Sequence, residues 1–339
     1  MNKILPLFDA AFVLDFFQRE LPPLYPAFSA VKSVVIKPYK KQVWETTYHV
    51  VIGFDVIFAA PGGREETIPV VCSAHSEEPR ENIFLALKYL WARDFPTAGI
   101  DLPRPLFYSP EFRGTFYQGL VGENLLHYIK IKDEATVAEI IGAAAGLFAR
   151  LHRLPVPAAD FNPQNARLKT VIPGVEFIFK EMAARYHNRY DEDFKKIYRR
   201  FIDAEEKFLA ASPSLCLIHG DAHPGNIIKT GPDKIGLIDF TDLCRGDFAR
   251  DLGAFCQQLD YKLGGSGEKS ETAARLKELF LASYLRSAGL EMDADLKRRV
   301  DLYYQWTAMR TVVFWFLRDQ SDPKRGEELL RKVKEDLGL

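Results

Sequence analysis

The 339-residue chain carries almost no net charge, since its 45 lysine and arginine residues nearly balance 46 aspartate and glutamate residues, for a formal charge of −1. Proteins that bind nucleic acids by bulk electrostatic attraction carry an excess of positive charge. The sequence also lacks a run of about 18 apolar residues, the length that a membrane-spanning helix needs. We therefore expect neither a nucleic acid nor a membrane as partner.

Cysteine is also scarce, and no two of the four cysteines form a C-x-x-C pair. Three of them lie in apolar stretches, which predicts buried free thiols. The N-terminus has no basic segment, and Asp9 and Asp15 interrupt its apolar residues, which disfavours a secretory signal peptide. These features favour a reducing, cytoplasmic location. The cysteines are Cys72, Cys216, Cys244 and Cys256.

No internal repeat or low-complexity tract is present, and a chain of this length favours two lobes over a single core. Apolar spacing predicts a helix over residues 4–19 and another over 81–91. The segments around the second helix are rich in β-branched and aromatic residues and predict a small sheet. Its strands are expected at 34–36, 46–58, 67–74, 106–108 and 115–118.

The rest of the chain is mainly helical in pattern. An apolar stripe from Val137 to Leu151 predicts a buried central helix. Further helices are expected at 175–210 and from Asp247 onward, with polar breaks at 264–267 and 321–323. The sequence thus predicts an α+β, bilobal fold. A small antiparallel β-sheet lobe with one inserted helix occupies 1–118, a hinge occupies 119–122, and a larger helical lobe occupies 123–339.

The chemistry is concentrated in His219-Gly-Asp221-Ala-His223-Pro-Gly-Asn226 and in a later Ile238-Asp239-Phe240. Each segment follows a short apolar run. An Asp, an Asn five positions on and a second Asp after a turn form the order that phosphoryl transfer needs. The first residue would act as a base for a hydroxyl group, and the other two would be oxygen ligands for a hard cation.

A predicted hairpin links the two segments. Residues 226–230 form one short strand, the turn-forming residues 231–234 make a four-residue loop, and 235–238 return. In that register Asn226 lies nearly opposite Asp239, with β-carbons about 4.5–5.5 Å apart. Both side chains could then bind one Mg²⁺, which prefers oxygen ligands. Asp221 is left to orient a hydroxyl and accept its proton.

Two other interpretations of the motif are open. Asp221 and Asn226 could be turn residues beside a structural histidine. Alternatively, His219, Asp221 and His223 could belong to a zinc or iron cluster of a hydrolase. None of the other five histidines forms a second H-x-D or H-x-x-x-H pair, and a hydrolase site normally needs more ligands.

The residues HGDAHPGN, IDF and Gly246-Asp-Phe-Ala-Arg-Asp-Leu252 resemble the aminoglycoside phosphotransferase and choline kinase family, which shares the protein-kinase-like fold. The resemblance is close from Leu151 to Leu252 and looser over Phe116–Glu123. It implies phosphorylation of a small molecule's hydroxyl group, with ATP and Mg²⁺ as cofactors. Asp221 would be the base, and Asn226 and Asp239 would hold magnesium.

The resemblance also implies supporting and nucleotide-binding residues. The backbone of Gln118, Gly119 and Leu120 would contact adenine. His219 would support the catalytic loop, and Asp251 would bind the loop backbone. From the pattern alone, Asp251 is equally compatible with an ordinary acid early in a helix that is capped by Asp247.

One expected residue is missing. The family usually has a lysine or arginine in its third strand, where it holds phosphates. Here that strand reads Val70-Val-Cys-Ser-Ala-His75, which places Ser73 at the expected position, and no lysine occurs between Lys41 and Lys88. The replacement candidates are Lys37, Lys40, Lys41, Arg80 and His75, and we assign nucleotide binding to Lys37. The alternative is a degenerate pseudokinase that binds nucleotide or a partner without efficient catalysis.

The acceptor is not defined by the sequence, nor is the oligomeric state. The late aromatic residues could form a stacking wall for a sugar, a cage for a quaternary ammonium group, or the buried core of a helix. Asp242, Asp260 and Glu291 could bind a cationic acceptor. An aminoglycoside, a choline-like alcohol, an amino-acid hydroxyl and a sugar all stay open. The aromatic residues are Tyr303, Tyr304, Trp306, Phe314, Trp315 and Phe316.

Overall fold

The computed structural model describes residues 2–211, 215–264, 268–318 and 320–339. The chain divides into two compact units, Met1–Glu123 with Ile228–Thr241 and Asn124–Ile227 with Asp242–Leu339. The predicted lobes, 1–118 and 123–339 around a hinge at 119–122, are continuous stretches, whereas the first unit also includes a later hairpin. The α+β class, with a small antiparallel sheet and a larger helical part, is confirmed.

The first part of the chain forms a five-stranded sheet with antiparallel neighbours, in which the strands lie in the order 30–43, 48–59, 65–75, 114–118 and 104–109. Each predicted strand is present, and all but the one predicted over 46–58 are longer than expected. The helix predicted over 81–91 is confirmed. The elements are α1 (Ala10–Glu20), β1 (Ala30–Val43), β2 (Tyr48–Ala59), β3 (Glu65–His75), α2 (Glu81–Trp91), β4 (Ile100–Asp101), β5 (Arg104–Ser109), β6 (Gly114–Gln118) and β7 (Glu123–Asn124).

The remaining elements are mainly helices. Two further short sheets have their strands in the orders 100–101, 234–237, 227–231, 123–124 and 244–246, 216–218. The remaining elements in chain order are α3 (Leu125–Ile131), α4 (Glu134–His152), α5 (Val175–Tyr186), α6 (Asp191–Ala211), β8 (Cys216–Ile218), β9 (Ile227–Gly231), β10 (Lys234–Leu237), β11 (Cys244–Gly246), α7 (Ala249–Leu263), α8 (Glu268–Ala288), α9 (Ala294–Leu317) and α10 (Pro323–Leu337). Of the break predicted at 264–267, residues 265–267 lie outside the described residues.

One face of the five-stranded sheet packs on α1. Every second residue of β2 from Val50 to Phe58 is at most 1% exposed, as expected for a strand with one buried face. The Phe17 ring of α1 meets the Phe54 ring edge-on at 5.1 Å. The predicted helix over 4–19 is divided at Asp9, whose carboxylate caps α1 by accepting the Phe12 N–H (2.8 Å). Because α1 packs on one face of the five-stranded sheet, the opposite face is left for other contacts.

Helix α4 is the buried central helix that the apolar stripe predicts. Among the described helices, it alone has the length and composition of a possible membrane span, with a mean hydropathy of 1.2. However, 56% of that segment is buried inside the protein, which is typical of a core helix. The four cysteines are free; Cys72, Cys244 and Cys256 are buried and Cys216 is partly exposed.

The hairpin that carries the second half of the motif differs from the prediction in its first residues. Asn226 belongs to a short 3₁₀ turn, Pro224–Asn226, and β9 starts only at Ile227. Proline at the first position sets the turn, and the His223 ring accepts the Gly225 N–H (3.0 Å). The loop between β9 and β10 has two residues, 232–233, not four.

Candidate functional site

Asp251 anchors the loop that follows β8, residues 219–226, which we call the motif loop. Its side chain is completely buried. One carboxylate oxygen accepts the His219 N–H (2.7 Å), and the other accepts the Gly220 N–H (2.9 Å). His152 Nε2 lies 3.0 Å from the same carboxylate. Asp247 instead accepts the Ala249 N–H at the start of α7 (3.0 Å). Asp251 therefore binds the motif loop, whereas Asp247 binds the first residue of the helix.

Arg250 holds the other side of the same peptide. Its Nη2 donates to the Gly220 carbonyl (3.2 Å), and its Nη1 donates to the Asn165 carbonyl. The residue is 2% exposed, and its guanidinium lies over the Trp306 ring at 4.9 Å. Neighbouring residues of α7 therefore bind the N–H and the C=O of Gly220, which fixes the backbone just before Asp221.

Only glycine suits position 220. The residue has φ of +81°, in the left-handed region. A β-carbon there would lie 2.3 Å from the carbonyl oxygen of Asp242. The tight approach of two backbone segments thus explains the glycine between His219 and Asp221.

Asp221 presents a carboxylate whose surroundings favour the ionised form. Its side chain is 41% exposed, and His223 Nε2 lies 3.6 Å from one of its oxygens. Burial alone would raise the pKa of Asp221, but the charges of His223 and Arg310, with those of His219 and Arg250, hold it below its ordinary value. At neutral pH the carboxylate is therefore ready to accept a hydrogen bond, and then a proton, from a hydroxyl group.

Asn226 is 5% exposed and oriented by its own loop. Its Nδ2 donates to the Asp221 carbonyl oxygen (3.0 Å), and its backbone N–H donates to the His223 carbonyl (3.0 Å). Because the nitrogen of the side-chain amide is committed, the oxygen Oδ1 is the atom available to a cation. An amide oxygen is a suitable ligand for Mg²⁺.

Asp239 lies in the first unit, two residues after the end of β10, and is exposed. Its φ of +63° is uncommon for a residue other than glycine, although aspartate tolerates it better than most. One carboxylate oxygen accepts the Thr241 N–H at 3.4 Å. Burial is the main cause of the raised pKa of Tyr117, and the negative charge of Asp239 is the second. Its charge therefore acts on the sheet face to which Tyr117 belongs.

The predicted nucleotide-binding residues are placed as follows. The Gln118 side chain accepts the Tyr25 hydroxyl (3.0 Å), and the Gly119 N–H donates to Pro69 (2.8 Å), continuing the pairing of the sheet. Leu120 packs closely on Gly236: a β-carbon added to Gly236 would lie 2.2 Å from Leu120 Cδ1. Lys37 is half exposed and forms an ion pair with Asp55, whose hydrogen bond is the main cause of the raised pKa of Lys37.

Most of the late aromatic residues are part of the core of α9, since Tyr303, Trp306, Trp315 and Phe316 are at most 8% exposed. Tyr304 is partly exposed, and Phe314 is 54% exposed. The acids considered for a cationic acceptor are largely engaged. Asp242 accepts the Asn165 side chain (2.6 Å), and Asp260 contacts both Lys277 and Tyr304. Glu291 is exposed.

Three supporting residues escaped the sequence prediction: His152, Asn165 and Arg250. All three lie within the range of close family resemblance, Leu151 to Leu252, but only Arg250 belongs to one of the motif segments quoted for it. Asn165 had no signal, because it precedes the motif loop by a long stretch of chain. As for the hydrolase alternative, the described residues contain no group of three or more His, Cys, Asp and Glu side chains that could hold a metal.

The sequence was compared with models of known protein families, and one family model matches. The sequence model of the phosphotransferase enzyme family (APH) matches residues 70–295, more than half of the chain. The matched range includes the motif loop, Asp239 and Asp251. No curated protein matches the chain significantly in sequence.

Solved structures share the fold. The ethanolamine kinase of Plasmodium vivax superposes with a TM-score of 0.56 at 14% identity, over 88% of this chain and 81% of the kinase. Wild-type aminoglycoside 2'-phosphotransferase-IIIa, a GDP complex, gives 0.55 at 16% identity, over 96% and 99%. Spectinomycin phosphotransferase APH(9)-Ia, in complex with ADP and spectinomycin, gives 0.54 at 13% identity, over 96% and 94%. At these identities the likeness concerns the fold alone.

Proposed function

Because the chain belongs to the phosphotransferase enzyme family, we propose that it transfers the terminal phosphoryl group of ATP to a hydroxyl group of a small molecule. The observation that carries this proposal is the motif loop itself. Asp251 and Arg250 bind its backbone on both sides of Gly220, and Asp221 follows with a carboxylate that favours ionisation. A rigidly held carboxylate is what a general base needs.

Asp221 is the proposed catalytic residue. It accepts a hydrogen bond from the acceptor's hydroxyl group and takes its proton as the hydroxyl oxygen bonds to the γ-phosphorus. The bond between that phosphorus and the β–γ bridging oxygen breaks, and the nucleoside diphosphate leaves. His219 and Asp251 act by holding the loop and do not contact the substrate in this scheme.

Asn226 and Asp239 are the proposed magnesium ligands. Their donor atoms are an amide oxygen, whose nitrogen partner is already committed, and an exposed carboxylate. Both are hard oxygen donors of the kind that Mg²⁺ prefers, and magnesium usually takes few protein ligands beside phosphates and water. When bound, the ion neutralises the negative charge of the phosphates.

The Gln118–Leu120 segment is the proposed contact for adenine. The Gly119 N–H already donates to Pro69. The contacts must therefore come from the other backbone groups of this segment. Both ADP and GDP complexes occur among proteins of this fold, so nucleotide preference has to be measured. Nothing among the described residues favours the alternative of a pseudokinase.

The experiment that tests this function measures ADP and GDP release by the purified protein with ATP or GTP, Mg²⁺ and a panel of hydroxyl compounds. We expect nucleotide-diphosphate release that depends on one class of acceptor, together with a new phosphate ester in the ³¹P NMR spectrum. Absence of transfer to every class, with nucleotide bound, would count against a kinase.

The second unit contains a cavity of about 350 Å³ that suits an acceptor. Its lining is mainly apolar and includes Phe177 and Phe314, which are 53% and 54% exposed. Arg310 and Arg318 also line it, whereas no carboxylate does among the described residues. Arg310 stacks on Trp306 (5.1 Å), has no ion pair in the described part of the chain, and its charge acts on Asp221.

This lining favours an acceptor with an apolar or aromatic body, a hydroxyl group and an anionic group. A polycation such as an aminoglycoside would meet two guanidinium groups without a compensating carboxylate, which is electrostatically unfavourable. In the panel, hydroxy acids and phosphorylated alcohols should therefore be phosphorylated more efficiently than aminoglycosides.

Replacing Arg310 with Gln should raise KM for the anionic acceptor. A hydrogen bond to a charged group contributes about 1.5–3 kcal/mol, so we expect an increase of about 10- to 100-fold. Arg310 also helps to lower the pKa of Asp221. In the variant that pKa rises, so activity should be lost at a higher pH on the acid side of the rate profile.

The matched control is Arg286→Gln, which removes an exposed arginine near the end of α8. It should change neither KM nor the pH profile. If Arg310→Gln leaves both quantities at the wild-type value, the cavity is not the acceptor site.

A further inference from the structure

Strand β1 contains a bulge that decides which lysine faces which side of the sheet. Pro38 pairs with Ile52 and Lys40 pairs with Val51, so Tyr39 is the extra residue. Side chains alternate between the two faces of a strand, and one inserted residue reverses the faces beyond it. In a regular register without the bulge, Tyr39 would pair with Val51 and Lys40 with Val50, which is buried on the face that packs on α1.

The bulge therefore places Lys40 on the face opposite the core, in one row with the third strand. Lys40 pairs with Val51 in β2, and Val51 pairs with Ser73 in β3. Adjacent strands are about 4.7–4.9 Å apart, so Lys40 starts two strands away from Ser73. Ser73 is the position at which the family resemblance leads one to expect a phosphate-binding lysine.

The surroundings of Lys40 are rich in basic side chains. Its Nζ lies 3.0 Å from His49 Nδ1, and the His49 and His75 rings are in contact, 4.7 Å between centroids. Arg80 is 5% exposed; its Nη1 donates to the Glu78 carboxylate (3.2 Å), while its Nε is buried without a hydrogen-bond partner among the described residues. Burial, with the charges of Lys40 and Arg80, lowers the pKa of His49 to about 3. His49 is therefore neutral and can accept from the Lys40 ammonium.

Lys40 also differs from the other two lysines of this strand. Lys37 already has a carboxylate partner in Asp55. Lys41 pairs with Val50, and its Nζ lies 4.4 Å above the Phe8 ring. Lys40 has no carboxylate within ion-pair distance in the described part of the chain. Burial and the Arg80 charge lower its pKa, and the negative charges of Asp239 and Glu78 oppose this.

We propose that Lys40, delivered by the Tyr39 bulge from the first strand, supplies the positive charge that binds the phosphates of the nucleotide in place of a third-strand lysine. This inference rests on the proposed phosphotransferase function. The Lys40 ammonium has a neutral histidine and no carboxylate as its close partner among the described residues, and a polyphosphate is an anion that would pair with it. Asp239, the proposed magnesium ligand, acts electrostatically on the same ammonium group.

The test measures the Kd of Mg-ATP and of adenosine by isothermal titration calorimetry for the wild type and for Lys40→Met. Loss of a charge-assisted contact of about 1.5–3 kcal/mol should weaken ATP binding about 10- to 100-fold. Binding of adenosine, which has no phosphates, should not change. Lys41→Met is the matched control from the same strand and should bind ATP like the wild type.

A gain-of-function variant gives a second readout. Adding Ser73→Lys to Lys40→Met restores a lysine at the family position, and recovery of ATP affinity would support the proposal. A folded Lys40→Met variant that binds ATP as tightly as the wild type would overturn the proposal. So would weakened ATP binding in Lys37→Met but not in Lys40→Met. If the wild type itself binds no nucleotide, the proposed function fails. If the wild type binds ATP and Lys40→Met binds it equally well, only the proposal for Lys40 fails.

Discussion

Replacing Asp221 with Asn should lower kcat by about 10²- to 10⁴-fold, the usual contribution of a general base. The amide has nearly the shape of the carboxylate but cannot accept a proton from the hydroxyl group. The loop should keep its structure, because its backbone is bound by Asp251 and Arg250 and not by the Asp221 side chain. We therefore expect an unchanged melting temperature and an unchanged Kd for the nucleotide.

The measurement is the initial rate of diphosphate release at saturating acceptor and nucleotide. Asp233→Asn is the matched control, since it makes the same chemical change in the exposed turn between β9 and β10. It should have the wild-type rate. A wild-type rate in Asp221→Asn would show that another group, or none, serves as the base.

Replacing Asp251 with Asn should reduce the free energy of unfolding by about 3–5 kcal/mol, the typical result of removing one partner from a buried charged network. The carboxylate accepts hydrogen bonds from two backbone N–H groups and contacts His152 while completely buried. An amide in its place directs its own N–H groups at one of these donors. Chemical denaturation of both proteins measures the difference.

The loss should depend on pH in a defined direction. Burial acts to raise the pKa of Asp251, but the hydrogen bond and charge of His152, with the His219 N–H, lower it overall. For a depressed pKa, the stabilisation is fully present above the ordinary Asp value of about 3.9 and is lost as pH falls through the folded-state value. The difference between wild type and variant should therefore be largest at neutral pH and shrink in acid.

The comparison variant is Glu134→Gln, because Glu134 is an ordinary exposed acid in the first turn of α4. Surface ion pairs contribute about 0–1 kcal/mol, so little change is expected there. The pair of variants also separates the two interpretations of Asp251 that the sequence leaves open. If Asp251→Asn costs no more than Glu134→Gln, Asp251 is only an early-helix acid.

Much of the fold could be read from local patterns. The β2 strand largely alternates in burial, and β2 and β3 were predictable from β-branched and aromatic residues. Helix α2 follows the apolar spacing of 81–91. The prediction fails where a local contact intervenes. Asp9 divides the first predicted helix by capping α1, and the Pro224–Asn226 turn delays the start of β9.

The candidate site was predictable to a different degree for each residue. Asp221, Asn226 and Asp239 are expected from their order and spacing, because the motif is continuous along a short stretch of chain. Asn165 was not, because its carbonyl reaches Arg250 across 85 positions of sequence. Contacts between residues so far apart in the sequence depend on how helices pack, and they leave no periodic signal in the sequence.

The sequence alone determined the reaction class and the family, since the motif, its spacing and the flanking apolar runs are local properties. Only the tertiary structure decided which groups surround that motif. It buried Asp251 beneath the motif loop, lined a cavity with Arg310, and brought Lys40 to the outer face of the sheet. The physical reason is that a one-residue bulge or a distant hydrogen bond reverses or relocates a side chain without changing the pattern of apolar residues.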